Sequence, residues 1–200
     1  MLDVSVNITQ GTSIWEAAAA IGTVGAVIVA LLLGVALPWF RRPCLKIDYQ
    51  PRDPYCRDAP LPQGLPAHWV RVKVTNKGRG AAKRCIGKMI AVYGVDGRPR
   101  ADRDPMRLYW ADASWKQPPE PLDLARDESE YLGVVYAHKD NPSAALISTH
   151  GGGSGFRKEL EAGQSHRVRL AVYADNAKPE TAEFLITYGG DVDSLRMDWA

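Results

Sequence analysis

One stretch limits what this chain can be more than any other. Ala17–Phe40, AAAAIGTVGAVIVALLLGVALPWF, runs twenty-four residues without a charge and with Thr23 as its only polar side chain. As a helix rising ~1.5 Å per residue it covers ~36 Å, enough to cross a hydrocarbon core of ~30 Å with some tilt. A bilayer offers no partner to backbone amides, so a single apolar segment must satisfy them within a helix. Trp15 and Trp39 sit one at each end, where aromatic belts lie, and Arg41 and Arg42 follow. The expected organisation is a short outer tail at 1–13, a transmembrane helix at 14–42 and one globular domain at 43–200.

A cleaved signal peptide would need a basic leader, a shorter apolar core and a small-residue cleavage site. Residues 1–16 hold only Asp3 and Glu16 as charges, whereas Arg41, Arg42 and Lys46 come directly after the span. The positive-inside rule then places the N-terminus outside and the C-terminal domain in the cytoplasm. Keeping three cations on the negative side is favourable by about 7 kcal/mol at 100 mV. Ala18, Gly22, Ala26, Ala30 and Gly34 recur every fourth residue. Such a band of small side chains lets a second helix approach closely, which predicts a homodimer or a protein partner in the membrane. Pro38 falls in the last turn, where a kink costs little.

The 158 residues from 43 onward suffice for one domain with its own core and are too few for two ordinary ones. All 25 basic residues and 21 of the 23 acids lie beyond the span, so near-neutrality argues against nucleic acid as a partner. Cys44, Cys56 and Cys85 show no CxxC spacing and are expected as free thiols in a reducing compartment. Cys44 reads as a small buried residue, with palmitoylation in a eukaryote as the alternative, and Asn7-Ile8-Thr9 fits the glycosylation triplet, which matters only in a eukaryotic secretory pathway.

Period-two patterning dominates the rest. Cys44–Tyr49, Trp69–Thr75, Cys85–Tyr93, Met106–Trp110, Tyr131–Ala137, Ala145–Ser148, Arg167–Ala174, Ala182–Tyr188 and Leu195–Trp199 read as strands, with Leu122–Leu124 a short one. Pro51, Pro54, Pro60, Pro62 and Pro66 are expected to exclude regular structure from 50–66, leaving a loop at the membrane-distal end. Asp96-Gly97 signals a hairpin. The fold class is all-β, sandwich or barrel.

VRVKVTNKGRGAAKRC and the following MIAVYGVDG resemble the opening of CARDB-type bacterial immunoglobulin-like modules, through Val74, Asn76, Gly78, Ala81, Ala82, Val92, Tyr93, Asp96 and Gly97. LAVYADNAKPE (Leu170–Glu180) is similar to the family's later strand and Asp-Asn loop. The likeness covers about forty of the 158 residues. It implies an immunoglobulin-like antiparallel β-sandwich and no particular activity. Family modules are usually extracellular and often tandem, whereas this one is single, larger and read as cytoplasmic.

Arg71, Lys73, Lys77, Arg79, Lys83, Arg84 and Lys88 form a run with no acid between Asp58 and Asp96. If the first two strands pair antiparallel, the turn at 77–84 returns to the bilayer. Lys77, Arg79, Lys83 and Arg84 would then join Arg41 and Arg42 in contact with anionic lipid, at ~1 kcal/mol each. His150-Gly151-Gly152-Gly153 matches an esterase oxyanion loop, but Ser154 lacks the Gly-x-Ser-x-Gly elbow, having Phe156 two residues on. His68, His138, His150 and His166 are isolated, Asp191-Val192-Asp193 lacks the rest of a calcium loop, and Gly78-x-Gly80 lacks a P-loop lysine and serine. Trp110 and Trp115 flank a loop and read as core, with a binding surface as the second reading. No catalytic, cofactor or metal residue is assigned. The sequence predicts a membrane-anchored, non-enzymatic interaction or accessory module. Its alternatives are a tethered enzyme built on His138, Asp140 and His150, and a peripheral module bound to anionic lipid.

Overall fold

The computed structural model describes residues 14–61, 64–94, 97–100, 105–111, 120–140, 144–149 and 159–200. The chain divides into two compact units at Arg41/Arg42. In the first, α1 (Ile14–Leu31) runs into a π turn (Leu32–Ala36) and then α2 (Leu37–Phe40). Ile14–Ala36 is long and apolar enough to cross a membrane, and none of its residues is buried. The π turn has a local cause. Pro38 has no N–H to give the Gly34 carbonyl, and widening the helix lets the Leu37 N–H reach Leu32 instead. Ala18, Gly22, Ala26 and Ala30 lie on α1 and Gly34 in the π turn. In an α-helix every fourth residue drifts by ~40°; the wider turn reduces that drift and keeps Gly34 nearer the line of Ala30.

The second unit is two antiparallel sheets. The strands are β1 (Leu45–Asp48), β2 (Cys56–Pro60), β3 (Pro66–Asn76), β4 (Ala82–Val92), β5 (Met106–Arg107), β6 (Leu122–Leu124), β7 (Ser129–His138), β8 (Ala145–Ile147), β9 (Glu159–Leu160), β10 (Gln164–Ala174), β11 (Ala177–Tyr188) and β12 (Arg196–Trp199). One sheet has the order β1-β3-β7-β8-β9, with β2 also on β3; the other runs β12-β11-β10-β4-β5, with β6 also on β4. Alternation sets the faces. Leu45 and Ile47 of β1, Val70, Val72 and Val74 of β3, Val168, Leu170 and Val172 of β10, and Phe184 and Ile186 of β11 join a single core drawn from both sheets. Each large side chain so buried contributes ~1.5–3 kcal/mol. Lys46, Asp48, Arg167 and Arg169 alternate with them on the outside. Trp110, expected in the core, is there; Trp115 lies outside the described residues.

Two expectations need correction. Residues 50–66 are not wholly irregular, because β2 pairs with β3 from Cys56↔Val70 to Pro60↔Pro66. The prolines are compatible with it: Pro60 ends β2 and Pro66 begins β3, positions where no ladder donor is needed. The Leu61 N–H closes the hairpin on the Leu65 carbonyl at 2.8 Å. Met106–Trp110 is not one return strand either. Met106 and Arg107 pair with β4, after which Leu108 bridges Thr149 and Trp110 bridges Leu132, so the segment passes from one sheet to the other. After β4 the Gly94 N–H bonds the Arg98 carbonyl at 2.9 Å and Gly97 takes φ 73°, left-handed backbone that glycine favours; Asp96, the other residue of the expected turn, lies outside the described residues.

Candidate functional site

β1 and β3 are antiparallel, Leu45 facing Asn76, so the turn after β3 lies beside the residues that open the domain. The joint is built on Asn76, which is fully buried. Its Oδ1 accepts from the backbone N–H groups of Cys44 (3.1 Å) and Gly78 (3.0 Å). Its Nδ2 donates to the carbonyls of Gly80 (2.7 Å), Leu124 (3.0 Å) and Ala125 (3.3 Å). The Lys77 N–H adds a bond to the Cys44 carbonyl at 2.7 Å. One amide therefore ties together the domain entry, the β3–β4 turn and the end of β6.

The six cations expected at lipid fall into different environments. Lys77 and Arg79 stand exposed on this turn, with no ion pair among the described residues. Lys83 and Arg84 do not match them. Lys83 Nζ lies 2.6 Å from Asp123, and Arg84 Nε lies 3.3 Å from Asp175. The Arg84 N–H also donates to Asp123 at 2.9 Å. Lys83, above all, and the Arg84 N–H hold the Asp123 carboxyl below the ordinary carboxylate range. The sequence run contains no acid, but β6 and the β10–β11 turn bring two beside it. Arg41 and Arg42 are exposed and belong to different units.

A second arrangement lies on the outer face of the first sheet and was not foreseen. Ala59, Pro60, Trp69, Arg71, Tyr109, Trp110, Ala111, Gly133 and Ser148 line a half-enclosed cleft of about 70 Å³. Trp69 stacks on Tyr136 with centroids 4.6 Å apart, and its indole N–H donates to the Ala59 carbonyl at 3.1 Å. The Arg71 guanidinium donates to the Pro54 carbonyl and lies 5.0 Å from the centre of the Tyr131 ring. Ser148 and Trp110 are buried, and neither the Ser148 hydroxyl nor the Trp110 indole N–H has a hydrogen-bond partner among the described residues. Gly133 makes room for them: a Cβ there would meet Ser148 Oγ at 2.7 Å. A glycine inside an apolar strand is one sequence signal that could have pointed here, and Trp110, with its second reading as a binding surface, is another.

The histidines do not converge among the described residues. His68 Nδ1 is 2.8 Å from Asp58, whose second oxygen meets Lys139 at 2.5 Å. His138 packs on Tyr136, and buried His166 bonds the Glu161 carbonyl at 3.3 Å. His150 and the glycine loop after it lie outside the described residues. No metal-binding cluster occurs among the described residues.

All three cysteines are free thiols. Cys85 is fully buried, and burial pushes its thiol up to about 11. Cys44, expected to be buried, is exposed. In the native chain iodoacetamide should therefore label Cys44 faster than Cys85 by roughly a hundredfold or more, because Cys85 reacts only after opening. Peptide mapping of a labelling time course checks this; comparable rates would contradict the burial. The sign of the pH effect follows. The fold favours the neutral Cys85 thiol, so this contribution is lost as pH rises above the ordinary thiol value toward about 11.

No family model, curated protein or solved structure matches this chain.

Proposed function

We propose that the chain is a membrane-anchored, non-enzymatic interaction or accessory module, an immunoglobulin-like β-sandwich of CARDB type held at the cytoplasmic face by one span. The observation that carries this reading is an apolar helix with no buried residue, bearing a band of small side chains, ahead of a domain with its own core. Such a helix has both the length to cross a bilayer and the surface to receive another helix. Arg41, Arg42 and Lys46 support the orientation with the N-terminus outside. The two sheets sharing one core, and the Asn76–Gly78 turn, support the immunoglobulin-like assignment. Co-purification from native membranes tests the role. The double variant Ala26→Leu, Ala30→Leu should lose self-association or a partner that the parent chain retains. An identical set of co-purifying proteins would remove the helix face from the proposal.

A second reading, contact with the inner leaflet, is favoured by the exposure of Lys77 and Arg79 beside the domain entry. The Asp123 and Asp175 pairs take Lys83 and Arg84 out of that contact, leaving Lys77 and Arg79 as the turn's two cations with no ion pair among the described residues, about 2 kcal/mol in place of four charges' worth.

A further inference from the structure

We infer that the β3–β4 turn, Lys77 to Ala81, is a phosphate site that takes the phosphomonoester of a lipid headgroup. Of its backbone N–H groups, that of Lys77 goes to the Cys44 carbonyl at 2.7 Å and that of Gly78 to Asn76 Oδ1 at 3.0 Å. Those of Arg79, Gly80 and Ala81 have no acceptor among the described residues. The acceptors beside them are occupied instead. Asn76 Nδ2 donates to the Gly80 carbonyl at 2.7 Å and Asn176 Nδ2 to the Ala81 carbonyl at 2.9 Å. Lys77 and Arg79 are exposed, and Gly80 and Ala81 are only partly buried, so the turn is open at the surface. Successive free N–H groups with cations beside them are a means of holding an oxyanion through several oxygens at once.

Charge and position narrow the ligand. Lys77 and Arg79 have no ion pair among the described residues. The acids of β6 and the adjacent turns are engaged elsewhere: Asp123 by Lys83, Asp175 by Arg84, Asp127 by Arg126, and Glu128 by the Ala125 N–H. A carboxylate has two oxygens to offer, whereas a phosphomonoester has three, matching three N–H groups with an ammonium and a guanidinium beside them. Asn76 grips the turn from within the domain, so these donors are in place before a ligand arrives. Asn76 also holds Cys44, which follows Phe40, the last residue of α2, by four positions. At ~3.5 Å per residue that is ~14 Å of chain at most, which makes the headgroup layer the nearest source of phosphate. The lipid source rests on the inner-leaflet reading of Lys77 and Arg79; the phosphate site itself does not.

The test uses the full chain in phosphatidylcholine nanodiscs, with isotopically labelled arginine carbonyls and glycine nitrogens. Arg79-Gly80 is the one Arg-Gly step in the sequence, so the Gly80 amide is the one resonance selected. A rising share of phosphatidic acid should move that resonance saturably. Inorganic phosphate added to plain phosphatidylcholine discs should move it in the same direction with weaker binding. Phosphatidylserine at matched surface charge should move it far less, because its phosphate is a diester. Lys77→Gln keeps the labelled step and should weaken binding of phosphatidic acid about fivefold, the loss of one cation at a lipid surface. Its unfolding midpoint should match the parent's, since the Lys77 side chain has no ion pair among the described residues. A Gly80 amide unmoved by both phosphatidic acid and inorganic phosphate, or full binding by Lys77→Gln, would overturn the site. Movement with inorganic phosphate alone would overturn the lipid source, and the inner-leaflet reading with it, while supporting the phosphate site. An equal response to phosphatidylserine would overturn the phosphate site while keeping the inner-leaflet reading, so the two fail separately.

Discussion

Asn76→Ala should lower the urea midpoint of the domain by about 2 M, corresponding to ~4 kcal/mol at a slope of ~2 kcal/mol/M. The side chain makes five hydrogen bonds, all to backbone groups, and sits at zero exposure. Alanine leaves two N–H groups and three carbonyls without that partner. Each buried orphan costs ~1–3 kcal/mol, and partial entry of water keeps the sum below the simple total. Against a typical domain stability of ~5–15 kcal/mol this is a large share. Asn76→Asp separates the two halves of the joint. It keeps an acceptor for Cys44 and Gly78 but turns a carboxylate toward the carbonyls of Gly80, Leu124 and Ala125, so it should be at least as damaging as alanine near neutral pH. Urea unfolding followed by tryptophan fluorescence measures both. A midpoint within ~0.3 M of the parent for Asn76→Ala would show that the amide does not hold the joint.

The same residue shows how much of the fold could be read in advance. Asn76 and Gly78 stood out from the sequence as turn chemistry, and the apolar alternation of β1, β3 and β10 agrees with their core faces. Both signals are local, carried by a period of two or by a turn within five residues. β2 was hidden because prolines argue against strands in general, and only its place at a sheet edge, ending at Pro60, makes them compatible. The switch of residues 106–110 between sheets was hidden for a related reason. Its apolar pattern suits either sheet, and the choice is made by Thr149 and Leu132, which are distant in sequence.

The candidate sites divide along the same line. An uninterrupted basic run in the sequence suggested one positive surface, yet electrostatics follows spatial neighbours. Asp123 and Asp175 lie 40 and 91 positions from the cations they meet. The cleft was invisible because its parts come from β2, β3, β7, the sheet-switching segment and the residue after β8, and none of them forms a motif. Gly133 carried a trace, as a gap in YLGVVYA that no turn explains, and Trp110 another, as a tryptophan beside a loop.

Gly78→Ala should be nearly as severe as the loss of Asn76, and more severe than Gly87→Ala, although both glycines are buried. At Gly78 a Cβ would lie 2.3 Å from the Cys44 nitrogen, 2.4 Å from Pro43 Cα and 2.5 Å from the Arg42 carbonyl oxygen. All three are backbone, so the clash is relieved only by lifting the turn off the domain entry. That movement breaks the Lys77–Cys44 bond and the Asn76 contact to Cys44. At Gly87 the neighbours are the Leu132 methyl carbons, at 2.3 and 2.5 Å. A leucine end can change rotamer within the core, at the ~1–3 kcal/mol typical of overpacking. The expected order in urea midpoint is parent, then Gly87→Ala, then Gly78→Ala, with the last lower by ~3 kcal/mol or more. Hydrogen exchange adds a position to the energy. In Gly78→Ala the amides of Cys44 and Lys77 should lose protection while those paired between β10 and β11 keep theirs. If Gly87→Ala proves the weaker protein, or if protection falls uniformly, the turn is not seated on the domain entry and the geometry that brings Lys77 and Arg79 to that end fails with it.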